Sequence, residues 1–170
     1  MQVRAACADD IPAIQPIYAH HVLQGLGTFE TDPPDAAEMN ARFSQITAAG
    51  FPYLVGIDGN QIIGYAYANH FRKRAAYRYT VEDSIYVAPT ATGRGVGKSL
   101  LDTLIARCIA LGLRQMLAVI GDSANASSIG VHRTCGFEMV GVMKEVGCKF
   151  DRWVDVVIMQ RALATDMAPR

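Results

Sequence analysis

The stretch VEDSIYVAPTATGRGVGKSLL, residues 81–101, decides how this chain folds and where its chemistry sits. Thr80–Ala88 reads as a β-strand stopped by Pro89, Thr90–Gly97 as a glycine-rich loop, and Leu100, Leu101, Leu104, Ile105 and Cys108 recur at helical spacing up to Gly112. A strand feeding a glycine turn that opens a helix aims several backbone N–H groups and the positive end of a helix dipole at one point. Glycine lets a phosphate approach the backbone closely, and Arg94 and Lys98 add positive charge. The segment therefore reads as a diphosphate cradle. Two familiar phosphate loops miss it by one residue each. A Walker A loop ending at Gly97-Lys98-Ser99 needs its first glycine where Thr92 stands. A dinucleotide fingerprint starting at Gly93 needs a glycine where Lys98 stands.

Outward from this loop, the chain reads as one domain over residues 1–165 with a short tail at 166–170. A strand at Gln2–Ala6 precedes a helix whose N-cap is offered by Asp9 and Asp10, with Pro12 in its first turn and Pro16 as a candidate kink. Gln24–Pro34 reads as a loop, and Asp35-Ala-Ala-Glu38 as a capping box opening a second helix. Asp58-Gly59-Asn60 lies between apolar runs at Tyr53–Ile57 and Ile62–His70 and marks a hairpin. Phe71–Tyr79 is basic and aromatic. Leu113–Ile120 is a nearly continuous apolar strand, as expected when both faces are buried. A short helix at Ala126–Cys135 and strands at Phe137–Val146 and Val154–Leu163 follow. The fold class is α/β (α+β): a central mixed, mostly antiparallel sheet flanked by helices.

Composition narrows the function. Of the 170 residues, 51% are hydrophobic and 19% charged, which excludes a disordered chain. Sixteen basic and sixteen acidic residues leave no net charge, so the basic excess of a general nucleic-acid binder is missing. Apolar runs fall short of the ~20 residues of a membrane helix, and the first ten residues hold no secretory core. Cys7, Cys108, Cys135 and Cys148 form no closely spaced pair, so no zinc or other metal site is expected. Reduced, mostly buried thiols in a cytoplasmic protein are the expectation. Cys135 and Cys148 lack a histidine–acid pattern that would mark a nucleophile. His20 and His21, adjacent on a helix, read as structural.

The cradle resembles motif A of the GNAT N-acetyltransferase superfamily, Gln/Arg-x-x-Gly-x-Gly/Ala, here Thr92 to Gly97 with Thr92 departing from the usual first residue. The block from Asn125 through Ser128 to Gly136-Phe137 resembles a second motif of that superfamily, with His132 in its tyrosine position. Thr80–Val87 and the late series Gly147, Lys149, Phe150, Trp153 and Asp155 are most similar to the phosphinothricin and methionine sulfoximine N-acetyltransferases. The resemblance implies the GNAT fold and acetyl-CoA as cosubstrate. It implies binding by Ile85, Tyr86, Val87, Arg94, Gly95, Val96, Gly97, Lys98, Asn125 and Ser128. It also implies a small amino-acid-like amine as acceptor and a homodimer.

The chemistry needs a neutral amine, yet a free α-amino group with a pKa of about 7.7–8.0 is mainly protonated at pH 7. Glu82, on the strand before the loop, is the candidate base. Asp83 points to the opposite sheet face. His132 is the second catalytic candidate, as donor to the leaving thiolate or as a hydrogen-bonding group in the pocket. In the basic segment, Arg74 and Arg78 are the candidate clamp for an acceptor carboxylate, since arginine binds carboxylates bidentately. Phe29 and Glu30, by resemblance, and Lys149 and Phe150, in an expected late loop, complete the acceptor site. Competing readings are acetylation of a polyamine or a protein N-terminus, and a CoA-binding sensor without turnover.

Overall fold

A computed structural model describes residues 1–163; the tail expected at 166–170 lies outside the described residues. Alternating apolar positions and turn residues build seven strands: β1 (Gln2–Ala5), β2 (Tyr53–Asp58), β3 (Gln61–His70), β4 (Thr80–Val87), β5 (Gln115–Gly121), β6 (Glu138–Lys149) and β7 (Arg152–Ala162). Four helices join them: α1 (Ile11–Gln24), α2 (Ala36–Ala48), α3 (Val96–Ala110) and α4 (Ala126–Thr134). The sheet order is β1-β2-β3-β4-β5-β7-β6, with β4 and β5 parallel and every other neighbouring pair antiparallel.

Strand alternation sorts the helices onto two faces. On one face the stacked rings of Tyr53, Tyr65 and Tyr67 meet Phe43 of α2, and Tyr86 meets Tyr18 of α1. On the other face lies α3. A Cβ at Gly64 of β3 would come within 3.1 Å of Val96 and 3.2 Å of Leu100, so bare backbone there lets α3 seat closely. Leu100, Leu101, Leu104 and Cys108 of α3 are fully buried.

Several local readings are corrected. Asp10 does not cap α1 with its side chain. Its carboxylate accepts two 2.7 Å bonds from the Arg4 guanidinium and one from the Cys7 N–H, because a bidentate charged partner outcompetes a single backbone donor. α1 runs through Pro16 to Gln24. Only half of the capping box forms. Asp35 accepts from the Glu38 N–H, while the Glu38 carboxylate pairs with Arg42 instead. Cys108 and Cys135 are buried, but Cys7 and Cys148 are exposed. The expected late loop is absent. Lys149 and Arg152 pair across a two-residue turn, Phe150-Asp151, whose φ angles of 52° and 55° suit the strand twist.

Candidate active site

β4 and β5 pair only from Thr80–Asp83 against Gln115–Ala118, although the strands continue to Val87 and Gly121. Beyond Asp83 and Ala118 they part, and a cleft of about 500 Å³ opens between them. Ser84, Ile85, Tyr86 and Val87 form one wall and Ala118 to Gly121 the other, and Gly97 of α3, Asn125, and Ser128 and His132 of α4 also line it. Backbone groups of the parted strand segments face this gap instead of each other, which suits an extended ligand carrying amides. The loop after α1 closes over the cleft. It can do so because Gly121 and Gly147 lack side chains: a Cβ at the first would overlap the Leu26 carbonyl, and at the second the Phe29 ring.

At the outer end of β4 the glycine loop takes the shape its sequence foretold. Gly93 and Gly95 adopt φ of 73° and 78° with open space where a Cβ would stand. Gly95 is the N-cap of α3 and offers no side-chain cap, so the first N–H groups of a 15-residue helix lack an intrahelical partner. The two cations of this loop are already paired. Arg94 bonds Asp58, and Lys98 donates to Asp102 at 2.6 Å. What this loop leaves open to an anion is therefore chiefly backbone N–H groups.

At the inner end, Glu82 and Asp83 project to opposite faces. Glu82 lies opposite Asn69 on the tyrosine face and lines the cleft, half-buried. Burial raises its pKa, the charge of Asp83 adds to the rise, and Arg72 partly offsets it. Asp83 is buried on the α3 face and bonds His132. His132 is itself buried. Its Nδ1 lies 2.7 Å from the Ser128 carbonyl and its Nε2 3.0 Å from Asp83 Oδ2. Burial disfavours the charged ring, but the Asp83 hydrogen bond, its charge and the Ser128 carbonyl outweigh this and raise the His132 pKa.

The remaining candidates divide. Ile85, Tyr86, Val87, Gly97, Asn125, Ser128 and Phe29 line the cleft. Asn125 also caps α4 by accepting from the Ser128 N–H. Val96 is buried in the core. Glu30 is held by Arg42 at 2.6 Å. Lys149 is buried at the end of β6 and donates to the Thr28 carbonyl at 2.8 Å, so it anchors the loop that carries Phe29; Phe150 is exposed at the turn. Arg74 and Arg78 lie in an exposed segment, outside the residues lining the cleft. Arg78 stacks on Tyr79, as Arg72 does on Phe71. Sequence reasoning missed Tyr67, Asp83 and His21 as lining residues. His21 donates to the Val87 carbonyl at 2.9 Å, and burial lowers its pKa. Only the register of β3 and β4, with Tyr67 opposite Ser84, would have signalled Tyr67.

The model of the acetyltransferase (GNAT) family matches residues 14–137. The chain is 55% identical over 161 residues to a phosphinothricin N-acetyltransferase of Alcaligenes faecalis, covering 95% of this chain and 82% of that protein. It is 41% identical to the L-methionine sulfoximine/L-methionine sulfone acetyltransferase of Pseudomonas aeruginosa strain PAO1, covering 93% and 92%. A solved GNAT superfamily phosphinothricin acetyltransferase from Sinorhizobium meliloti, in complex with AcCoA, superposes with a TM-score of 0.92 at 52% identity, covering 95% of this chain and 87% of that one. With the parted strands and the glycine-capped helix, these likenesses identify the chain as a member of the GNAT acetyltransferase family.

Proposed function

We propose that this protein transfers acetyl from acetyl-CoA to the primary amine of a small amino-acid-like acceptor of the methionine sulfoximine, methionine sulfone or phosphinothricin type. The observation that carries this is the cleft itself, which joins an uncapped helix N-terminus at one end to a half-buried carboxylate of raised pKa at the other. The N–H groups of Val96, Gly97 and Lys98 suit a diphosphate. The parted walls at Ile85–Val87 and the Asn125–Ser128 turn suit an amide-bearing arm. Bound there, acetyl-CoA supplies an activated acetyl group. Glu82 accepts the proton that the acceptor's ammonium must lose before its lone pair can attack, and its raised pKa brings its basicity closer to neutral pH. Phe29 and its loop exclude water from the cleft. In this reading Arg74 and Arg78 steer the acceptor's carboxylate.

The same reading includes a homodimer in the cytoplasm. β6 is an edge strand, and Met139, Val140, Val142, Met143 and Val146 on it are exposed, as are Phe150 and Trp153 beside it. So many exposed apolar side chains on an edge strand favour a partner surface. All four cysteines are free thiols, and among the described residues no helix is long and apolar enough to cross a membrane.

The test is thiol release from acetyl-CoA with a panel of acceptors. Methionine sulfoximine, methionine sulfone and phosphinothricin should react, and their carboxyl esters should react less well. Preference for a polyamine or a peptide N-terminus, or no turnover with any amine, would overturn the reading. Sedimentation showing only monomer at micromolar concentration would remove the dimer.

A further inference from the structure

We infer that Asp83 is a positioning residue that holds His132 as a doubly protonated imidazolium at the inner end of the cleft, so that His132 acts by fixed charge and not by handing over a proton. The inference rests on the acetyl-transfer reading for its use, but its geometry stands without it. A carbonyl oxygen only accepts, so the 2.7 Å contact with the Ser128 carbonyl requires a hydrogen on Nδ1. The Nε2 contact with Asp83 Oδ2, at 3.0 Å, then takes either a second ring hydrogen or a protonated carboxyl. Asp83 Oδ1 is buried and has no hydrogen-bond partner among the described residues. A buried carboxylate so placed depends on His132 for its compensation, because an uncompensated buried charge is strongly destabilising.

The neighbours that the packed elements bring to the pair are neutral or acidic. From α3 comes Cys108, whose thiol is pushed up to about 12 by burial and by the Asp83 charge, and which stays neutral through the working range. From β5 comes Ala118, opposite Asp83. The Phe137 ring stands edge-on to the imidazole at 5.0 Å. On α4, the Ser128 hydroxyl lies 3.4 Å from Nδ1. On β4, the adjacent acid is Glu82, on the opposite face. Both ring N–H groups are thus committed, one to each partner. Glu82 first takes the extra proton of the acceptor's ammonium; the freed lone pair then forms the C–N bond, and the proton released from the attacked nitrogen leaves to solvent. The C–S pair departs with the sulfur, which takes its proton from solvent. The imidazolium stabilises that departing negative charge without changing its own protonation.

Imidazole ¹⁵N NMR of the free wild-type protein reads the state directly. Both His132 nitrogens should carry hydrogen at pH 7.5, above the pH near 6.5 at which an unperturbed histidine is half-protonated. A neutral ring at pH 7.5 overturns the inference whatever the fate of any variant. In acetyl transfer, Asp83→Asn should lower kcat about a hundredfold and move the alkaline limb of its pH profile about 1–3 units lower. In a His132→Gln background the same substitution should add little, because the two residues act as a unit. An unmoved limb, or losses that multiply, overturns the inference. Failure of every amine to react would defeat the proposed function while leaving the NMR result to decide the Asp83–His132 pair.

Discussion

The segments at the two ends of β4 offer positive character in different ways. Before the strand, residues 71–79 hold Arg72, Lys73, Arg74 and Arg78 in an exposed segment, with Arg72 and Arg78 stacked on neighbouring rings. After the strand, residues 88–95 hold a single arginine, yet their glycines turn a row of backbone N–H groups toward one point. The first stretch is positive by composition. The second is positive by geometry, since Arg94 and Lys98 are both neutralised by acids. Side-chain charge on a solvated loop is screened and entropically costly to order, whereas N–H groups fixed by a helix need no reorganisation when an anion arrives. Between these ends, Glu82 faces the cleft, and burial together with the Asp83 charge raises its pKa.

The largest effect should follow from Glu82, where the two ends meet. Glu82→Gln keeps size and removes basicity, and loss of a general base typically costs about 10²–10⁴ in rate. The loss should shrink at high pH, where more free amine exists. In the wild type, burial and the Asp83 charge raise the Glu82 pKa, so the acidic limb of the kcat profile should lie above the ordinary carboxylate range. A full-rate Glu82→Gln enzyme at pH 7 removes this role.

What could be read from the linear sequence followed from local rules. The glycine loop, the Asp58–Asn60 hairpin and the Asn125 cap each depend on a few consecutive residues, and each formed. Even there, detail escaped: the two-residue turn is Gly59-Asn60, closed by Asp58 and Gln61. The Asp83–His132 contact joins residues 49 apart in sequence, and no periodicity in either segment announces it. Asp10 looked like a helix cap until Arg4 was brought across from β1. Lys149 looked like a ligand of a loop, but sheet pairing buried it and turned it toward Thr28. Arg74 and Arg78 read as a clamp from charge, and they lie in an exposed segment outside the residues lining the cleft. Their exposure is set by a short 3₁₀ turn at Ala75–Tyr77, which composition does not encode.

Gly97→Val sharpens the comparison from the backbone side. A Cβ at Gly97 would sit 3.7 Å from Val87 and 3.9 Å from Val131, ordinary contacts that the fold tolerates. The larger branched side chain would enter the cleft that Gly97 lines. Losing one charge-assisted hydrogen bond to phosphate costs about 1.5–3 kcal/mol, or roughly 10–150-fold in affinity. Calorimetry with acetyl-CoA should show a loss of that order in a folded variant. Gly95→Val is the poorer test, since φ of 78° strains any β-branched residue whatever the ligand does. Unchanged binding by folded Gly97→Val would place the diphosphate elsewhere.

The smallest effect should come from the charges that most catch the eye in the loop. Arg94 and Lys98 are each about half exposed, and their acids Asp58 and Asp102 are similarly open. Exposed pairs of this kind contribute about 0–1 kcal/mol, so a cation already engaged has little left to give a phosphate. Arg94→Ala and Lys98→Ala should therefore weaken acetyl-CoA by no more than about fivefold each, well below Gly97→Val. The effect should fade as ionic strength rises, because screening at 0.15 M acts within about 8 Å. The acids give the complementary check. Asp102→Asn frees Lys98 from its partner, and if side-chain charge mattered it should tighten acetyl-CoA measurably at low salt. A Lys98→Ala loss as large as that of Gly97→Val, persisting at high salt, would mean that this end of β4 binds through its side chains after all, and the contrast between the two ends would dissolve.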